Sequence, residues 1–230
     1  MNYDILLFDA DRTLFDFDAS EKLAFFEVAP TYGVNPTEEN FILYRDINNQ
    51  NWEALEKGLF KKERIVVRRF EQFLDALGIK GDAVKMNDDY LNALSTKSIL
   101  FKETIPLVTK LKEAGKRIFI ITNGVTKVQL GRIKDSPLKP FLEEHFISER
   151  MNVSKPQKLF FDLVAKQIKD YSPNRAIVIG DSLTSDIQGA NNAGLDCIWL
   201  NMDGKKAPDN LRITFEAKNL PEIGEFLLKN

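Results

Sequence analysis

Ile5-Leu6-Leu7-Phe8-Asp9-Ala10-Asp11-Arg12-Thr13 is an apolar run that stops abruptly at two carboxylates. In an extended strand, residues i and i+2 point to the same side, so Asp9 and Asp11 leave the strand end together. At ~4 Å and an effective dielectric of ~20, two such charges repel by about 4 kcal/mol. A strand that ends on this pair has a use for it: a cation to neutralise, or a reaction to perform. The plain alternative is a polar strand exit, and the rest of the chain decides between the two.

Three further apolar runs end on polar turns. Residues 118–121 lead into Thr122-Asn123-Gly124, residues 176–179 into Gly180-Asp181, and residues 197–200 into Asn201. Runs of four or five apolar residues rich in Ile and Val fit strands buried on both faces. Helical patterns at 107–114, 160–168 and 187–193 separate them. This alternation predicts an α/β fold, a Rossmann-like parallel sheet flanked by helices. In such sheets ligands bind beyond the carboxyl ends of the strands, where the polar turns sit.

Residues 16–102 break the alternation and predict four helices. Asp18 with Glu21 reads as the start of the first, and Gly33 as its end. Thr37 opens the second, with Phe41, Tyr44, Ile47, Trp52 and Leu55 near helical spacing, closing around Gly58. Ile65, Val66, Phe70, Phe73, Leu74 and Leu77 mark the third, and Val84, Tyr90, Leu91 and Leu94 the fourth. The expected organisation is an α/β core from residues 1–15 and 103–230, with an all-helical insertion at 16–102.

Composition narrows the chemistry. The 230 residues carry 32 basic and 34 acidic side chains, a formal charge of −2, with no basic block, so binding to a nucleic-acid polymer or a membrane surface is not expected. No apolar run approaches the ~20 residues of a membrane span. Met1-Asn2-Tyr3-Asp4 lacks the basic and apolar parts of a secretion signal, so a cytoplasmic location is expected. Cys197 and His145 are the only cysteine and histidine. The thiol reads as buried and structural, the imidazole as an ordinary surface or interface residue. Serine triads and zinc sites need partners that are hardly available here. Carboxylates, hydroxyls, lysine and backbone amides must carry any chemistry.

Four clusters follow the core in order: Asp9, Asp11 and Thr13; Thr122-Asn123-Gly124; Lys155 in Ser154-Lys155-Pro156, with Pro156 suited to the first turn of a helix; and Gly180-Asp181-Ser182-Leu183-Thr184-Ser185-Asp186, ahead of Gly189-Ala190. Each alone has a plain explanation as a turn, a solvated lysine or a helix start. Together they resemble the haloacid dehalogenase superfamily of phosphotransferases, along the whole α/β core, with the insertion in the place of that superfamily's helical cap. At finer grain, 8–15, 120–124 and Trp199-Leu200-Asn201 look most like its noncanonical pyrimidine nucleotidase group. Arg12 stands where many members carry glycine or another residue, which bears on the loop's contacts with the cap.

The resemblance implies a Mg²⁺-dependent phosphatase acting on a small phosphomonoester. Asp9 would be the nucleophile that forms an aspartyl phosphate, splitting a difficult hydrolysis into two easier steps. Asp11 would protonate the leaving oxygen and then deprotonate the attacking water. Asp9 and Asp181 would offer side-chain oxygens to Mg²⁺ and Asp11 its backbone carbonyl, with Asp186 an outer partner acting through water. Thr122 and the Asn123 amide would hold phosphate oxygens, and Lys155 would neutralise them and steady Asp9.

The expected activity is that of a 5′-nucleotidase, with pyrimidines favoured by resemblance alone. A phosphatase for another small phosphoester such as a sugar phosphate, or a phosphomutase, is the nearest rival. A 2-haloacid dehalogenase has no use for Asp11, Asp181 or a metal. A phosphate-binding module without turnover is the non-enzyme alternative. Within the insertion, Asn48, Asn49, Gln50 and Asn51 are expected on a solvated helix face and Trp52 in the bundle core, rather than as readers of a pyrimidine. Nothing in the sequence sets the oligomeric state.

Overall fold

The computed structural model describes residues 3–229; Met1 and Asn2, part of the expectation about a leader, lie outside the described residues. β1 (Ile5–Phe8) is followed by four helices: α1 (Phe17–Val28), α2 (Glu38–Glu56), α3 (Lys62–Ala76) and α4 (Ala83–Ser95). The chain then returns through α5 (Thr104–Glu113), β2 (Arg117–Thr122), α6 (Thr126–Lys134), β3 (Leu142–Ile147) and the short α7 (Ser148–Met151). It closes with α8 (Lys158–Gln167), β4 (Ala176–Gly180), α9 (Gln188–Ala193), β5 (Asp196–Leu200), β6 (Phe215–Ala217) and α10 (Leu220–Lys229). Among the described residues, no helix is long and apolar enough to cross a membrane.

The six strands form one parallel sheet in the order β3-β2-β1-β4-β5-β6. Alternate residues of the apolar runs feed opposite faces. Leu6, Phe8, Ile118, Ile120, Ile177 and Ile179 meet Val108 and Leu111 of α5 and Ile223 of α10. Ile5, Leu7, Phe119, Ile121 and Val178 meet Phe160, Phe161 and Val164 of α8. The strand order reverses between β1 and β4, and in open α/β sheets the crevice at that reversal is where ligands bind. Asp9 follows β1 on one side of the crevice and Asp181 follows β4 on the other, and the Asp9 amide donates to the Ile179 carbonyl of β4 at 2.7 Å.

Helices α1 to α4 have their own core, an aromatic cluster around Phe25, Phe41, Tyr44, Phe70, Phe73 and Tyr90. Tyr44 stacks between Phe25 at 5.2 Å and Phe70 at 5.3 Å, which adds to the burial of each ring. The two crossovers run side by side, with Phe15 bridged to Leu100 and the Asp16 amide bonded to the Ile99 carbonyl.

Several local expectations need correction. The first helix starts two residues earlier than Asp18 and Glu21 suggest: Asp16 is its N-cap, accepting from the Ala19 amide at 3.0 Å, while Asp18 pairs with Arg12 and Glu21 is fully buried. Arg12 takes a left-handed φ of 60° and lies over the Phe17 ring, so it does contact the helical insertion. Pro156 follows a cis peptide bond in the turn ahead of α8 rather than sitting in its first turn. Residues 183–187 form a π-helical turn before α9, so that the expected helix at 187–193 is continuous with the acidic loop. β3 carries His145 on the sheet edge, where Glu143 and Glu144 interrupt any apolar run. Cys197 is buried in β5.

Candidate active site

The ends of β1, β2 and β4 and the turn before α8 deliver the four polar clusters to one crevice. The carboxylates of Asp9, Asp181 and Asp186 each offer an oxygen within 4.8 Å of the other two. Lys155, buried to 2% exposure, reaches into this group from the turn before α8. Its Nζ donates to Asp9 Oδ1 at 2.5 Å, Asp186 Oδ1 at 2.7 Å and the Ile121 carbonyl at 2.8 Å. One ammonium therefore faces three carboxylates.

That imbalance shapes the electrostatics. Burial pushes Asp9 well above the usual carboxylate range, Lys155 opposes it, and Asp186, Asp181 and Asp11 add to it. Asp181 is pushed up to about 7 by burial and by Asp186, against Arg12 and Lys155. Burial works against the Lys155 ammonium, but Asp186 and Asp9 outweigh it and hold its pKa above the ordinary lysine value. Three carboxylates set against the charges of Lys155 and Arg12 favour added positive charge. Oxygen donors alone, with no imidazole or thiolate among them, suit a hard divalent ion such as Mg²⁺.

Backbone and side-chain contacts fix these groups from behind. Asp186 Oδ2 accepts from the Ser182 amide at 3.1 Å, and Trp199 Nε1 donates to the Asp181 carbonyl at 3.0 Å. Gly180 is glycine because a Cβ there would lie 2.3 Å from Asp186 Oδ2. The Asn123 side chain pairs with the backbone of Lys155. Its Oδ1 accepts from the Lys155 amide at 3.0 Å and its Nδ2 donates to the Lys155 carbonyl at 2.9 Å, so it positions the lysine. Thr122 is buried at the end of β2, and its Oγ1 accepts from the Gly124 amide at 3.0 Å.

Asp11 stands outside the three-carboxylate group. Its Oδ1 accepts from Arg132 Nη1, and its Oδ2 from Gln129 Nε2 at 2.7 Å. Both partners lie on α6 and went unnoticed in the sequence. The available signal was a glutamine and an arginine three residues apart on the same helix face as the apolar Val128 and Ile133.

The crevice opens into a cavity of about 460 Å³ roofed by the helical insertion. Phe17, Asn49, Trp52, Leu91 and Leu94 line the roof above Asp9, Asp11, Thr122, Lys155 and Asp181. The expectation for 48–52 is overturned. Asn48 and Asn51 are buried, held by Arg69 Nη1 at 2.9 Å and Arg68 Nη1 at 2.9 Å, because α3 presents these guanidinium groups beside its apolar side chains. Trp52 is half-buried at the cavity wall instead of in the aromatic core, and of this stretch only Gln50 is fully solvated. The insertion also touches the core directly. Lys62 Nζ donates to Ser148 Oγ at 2.8 Å and the Gly124 carbonyl at 3.3 Å, and Thr184 Oγ1 donates to Glu56 Oε2 at 2.5 Å.

A parallel sheet with acidic groups at its reversal point and a helical roof is the architecture found here, and the haloacid dehalogenase-like hydrolase family matches residues 3–194. The chain belongs to this family. It is 34% identical over 230 residues to the pyrimidine 5′-nucleotidase PynA of Streptococcus pneumoniae, covering 100% of this chain and 97% of that one. It is 30% identical over 230 residues to the pyrimidine 5′-nucleotidase YjjG of Escherichia coli, covering 100% of both. The crystal structure of the putative hydrolase YfnB of Bacillus subtilis, bound to magnesium and described as revealing interdomain movement, superposes with a TM-score of 0.94 at 33% identity, covering 99% of both chains.

Proposed function

We propose that this chain is a Mg²⁺-dependent phosphomonoesterase that removes the 5′-phosphate of nucleoside monophosphates, pyrimidine nucleotides above all. In this reading residues 1–15 and 103–230 are the catalytic core and 16–102 the specificity-bearing cap. The observation that carries the chemistry is the meeting of Asp9, Asp181 and Asp186 within 4.8 Å, beside Lys155 and under a roofed cavity. Two pyrimidine 5′-nucleotidases matched over their full lengths support the substrate class.

Asp9 and Asp181 would hold the ion with the Asp11 carbonyl, Asp186 acting through water, and the ion would supply charge neutralisation between these carboxylates and a phosphate dianion. Asp9 attacks phosphorus, a bond forms from its carboxylate oxygen, and the ester P–O bond breaks. Asp11 gives its proton to the departing ester oxygen. The Asp11 carboxylate so formed then takes a proton from a water that attacks the phosphoaspartate, releasing phosphate and restoring Asp9. Thr122, the Asn123 amide and Lys155 hold the transferring oxygens in place. Trp52 and Asn49, the latter without a side-chain hydrogen bond among the described residues, meet the leaving nucleoside.

Phosphate release from a panel of nucleoside 5′-monophosphates, sugar phosphates and 4-nitrophenyl phosphate tests the reading. Pyrimidine nucleotides are expected to lead, with no turnover in chelator or in Asp9→Asn. A flat panel removes the nucleotidase assignment and leaves a general phosphatase. Equal turnover in Asp9→Asn refutes the mechanism.

A further inference from the structure

Gln129 and Arg132 occupy adjacent positions on one face of α6, both buried, at 1% and 0% exposure. Their side chains approach Asp11 from the same side and take one carboxylate oxygen each. The Arg132 Nε and Nη2 atoms are buried without a hydrogen-bond partner, so Asp11 is the carboxylate on which this guanidinium depends. A rotation of Asp11 away from α6 would strand a buried cation, and the pair therefore confines the carboxylate to one orientation.

Two further contacts tie the pair to the crossovers of the helical insertion. The Arg132 guanidinium lies 4.5 Å over the Phe15 ring on the outgoing crossover. Its backbone carbonyl accepts from Ser98 Oγ at 2.9 Å on the returning one. Gly124 completes the arrangement, since a Cβ there would lie 2.3 Å from Gln129 Nε2. The glycine of Thr122-Asn123-Gly124 leaves the room through which Gln129 reaches Asp11.

We infer that Gln129 and Arg132 are positioning residues that aim the Asp11 carboxyl at the leaving oxygen, with Arg132 linking that aim to the seating of the cap. The inference rests on the phosphomonoesterase reading above and adds to it the source of Asp11's geometry. A plain structural role for the same contacts would stabilise the loop without affecting proton transfer, and leaving groups separate the two. Nitrophenolate leaves with little help from an acid, whereas a ribose alkoxide needs its proton as the P–O bond breaks.

The experiment compares kcat/KM for uridine 5′-monophosphate and for 4-nitrophenyl phosphate, each with Mg²⁺, in wild type, Gln129→Met and Arg132→Lys. The ratio kcat/KM reports transition-state stabilisation up to formation of the phosphoaspartate, before Asp11 acts as a base. General acid help is worth roughly 10²–10⁴-fold, so misaiming Asp11 should lower the nucleotide value by at least about tenfold more than the aryl value. Gln129→Met conserves volume and keeps the arginine, which guards against a folding failure in Arg132→Lys; thermal melts confirm that each variant is folded. An equal fall for both substrates, or no fall, overturns the inference while the phosphatase reading stands. Absence of turnover in the wild type on either ester overturns the underlying reading itself.

Discussion

Replacing Lys155 with methionine keeps most of the side-chain volume and removes the ammonium that bridges Asp9 and Asp186. Lys155 makes two charge-assisted bonds, to Asp9 and Asp186, and one to the Ile121 carbonyl. Bonds to charged groups contribute about 1.5–3 kcal/mol each and a neutral one about 1 kcal/mol. Removing one partner of a buried pair costs about 3–5 kcal/mol, because the anions left behind stay out of water. At about 2–4 °C per kcal/mol for a chain of this size, Tm should fall by ~6–20 °C. The assay is a thermal melt in chelator near pH 7.5, followed by the same melt with Mg²⁺. The ion should raise Tm more in Lys155→Met than in wild type, since it would face a site short of positive charge and bind only the folded chain. A fall of less than about 2 °C in chelator would refute this account of the site's electrostatics.

Three other outcomes follow from the geometry. Glu21, pushed up to about 7 chiefly by burial against the opposing pull of Arg12 and Arg69, favours the folded state when protonated. Its contribution is present below the unfolded value near 4.5 and is lost as pH rises through about 7, so Glu21→Gln should gain up to about 3 kcal/mol on wild type between pH 4.5 and 8. Urea denaturation at both pH values checks it, and an identical difference at the two would count against the buried-acid account. Gly180→Ala places a Cβ 2.7 Å from the Asp186 Cβ, so the whole side chain must shift. A loss of about 1–3 kcal/mol is expected, together with a smaller Mg²⁺-induced rise in Tm; an unchanged Mg²⁺ titration would mean that Asp186 is no partner of the ion. Trp52→Ala should raise KM for nucleoside monophosphates roughly tenfold, the worth of one aromatic stacking contact. Ribose 5-phosphate should be unaffected, and a parallel rise for it would remove Trp52 from base recognition.

The parts of the molecule legible in the chain are those where burial leaves a periodic mark. β1, β2, β4 and β5 are covered on both faces and read as continuous apolar runs. β3 was illegible because an edge strand needs little apolar surface, and Glu143-Glu144-His145 hides it. Asp9, Asp181 and Lys155 were visible because each follows a strand or precedes a helix at the end of the sheet where ligands gather. Asn48 and Asn51 misled for the opposite reason. A polar side chain on a helix reads as solvated unless the facing element is known, and here α3 supplies arginines that bury them. Gln129 and Arg132 escaped in the same way, since only the assembled fold brings α6 beneath Asp11. The Asp16 cap shows a smaller error, in which Asp16 and Asp18 compete and the pairing of Asp18 with Arg12 settles the matter.

The placement of β1 carries a consequence for synthesis of the chain. Its hydrogen-bonding neighbours are β2 and β4, both translated on the order of a hundred residues or more after it, and such distant pairings form slowly. The four helices that follow β1 share an aromatic core of their own, so on the ribosome the residues of the roof emerge while most of the floor is still missing. A polypeptide cut before Ala176 should leave Asp9 without β4 beside it and without Asp181 and Asp186. Birth order and working order are thus reversed in this molecule: the lid emerges early, and the residue it covers becomes competent only near the end.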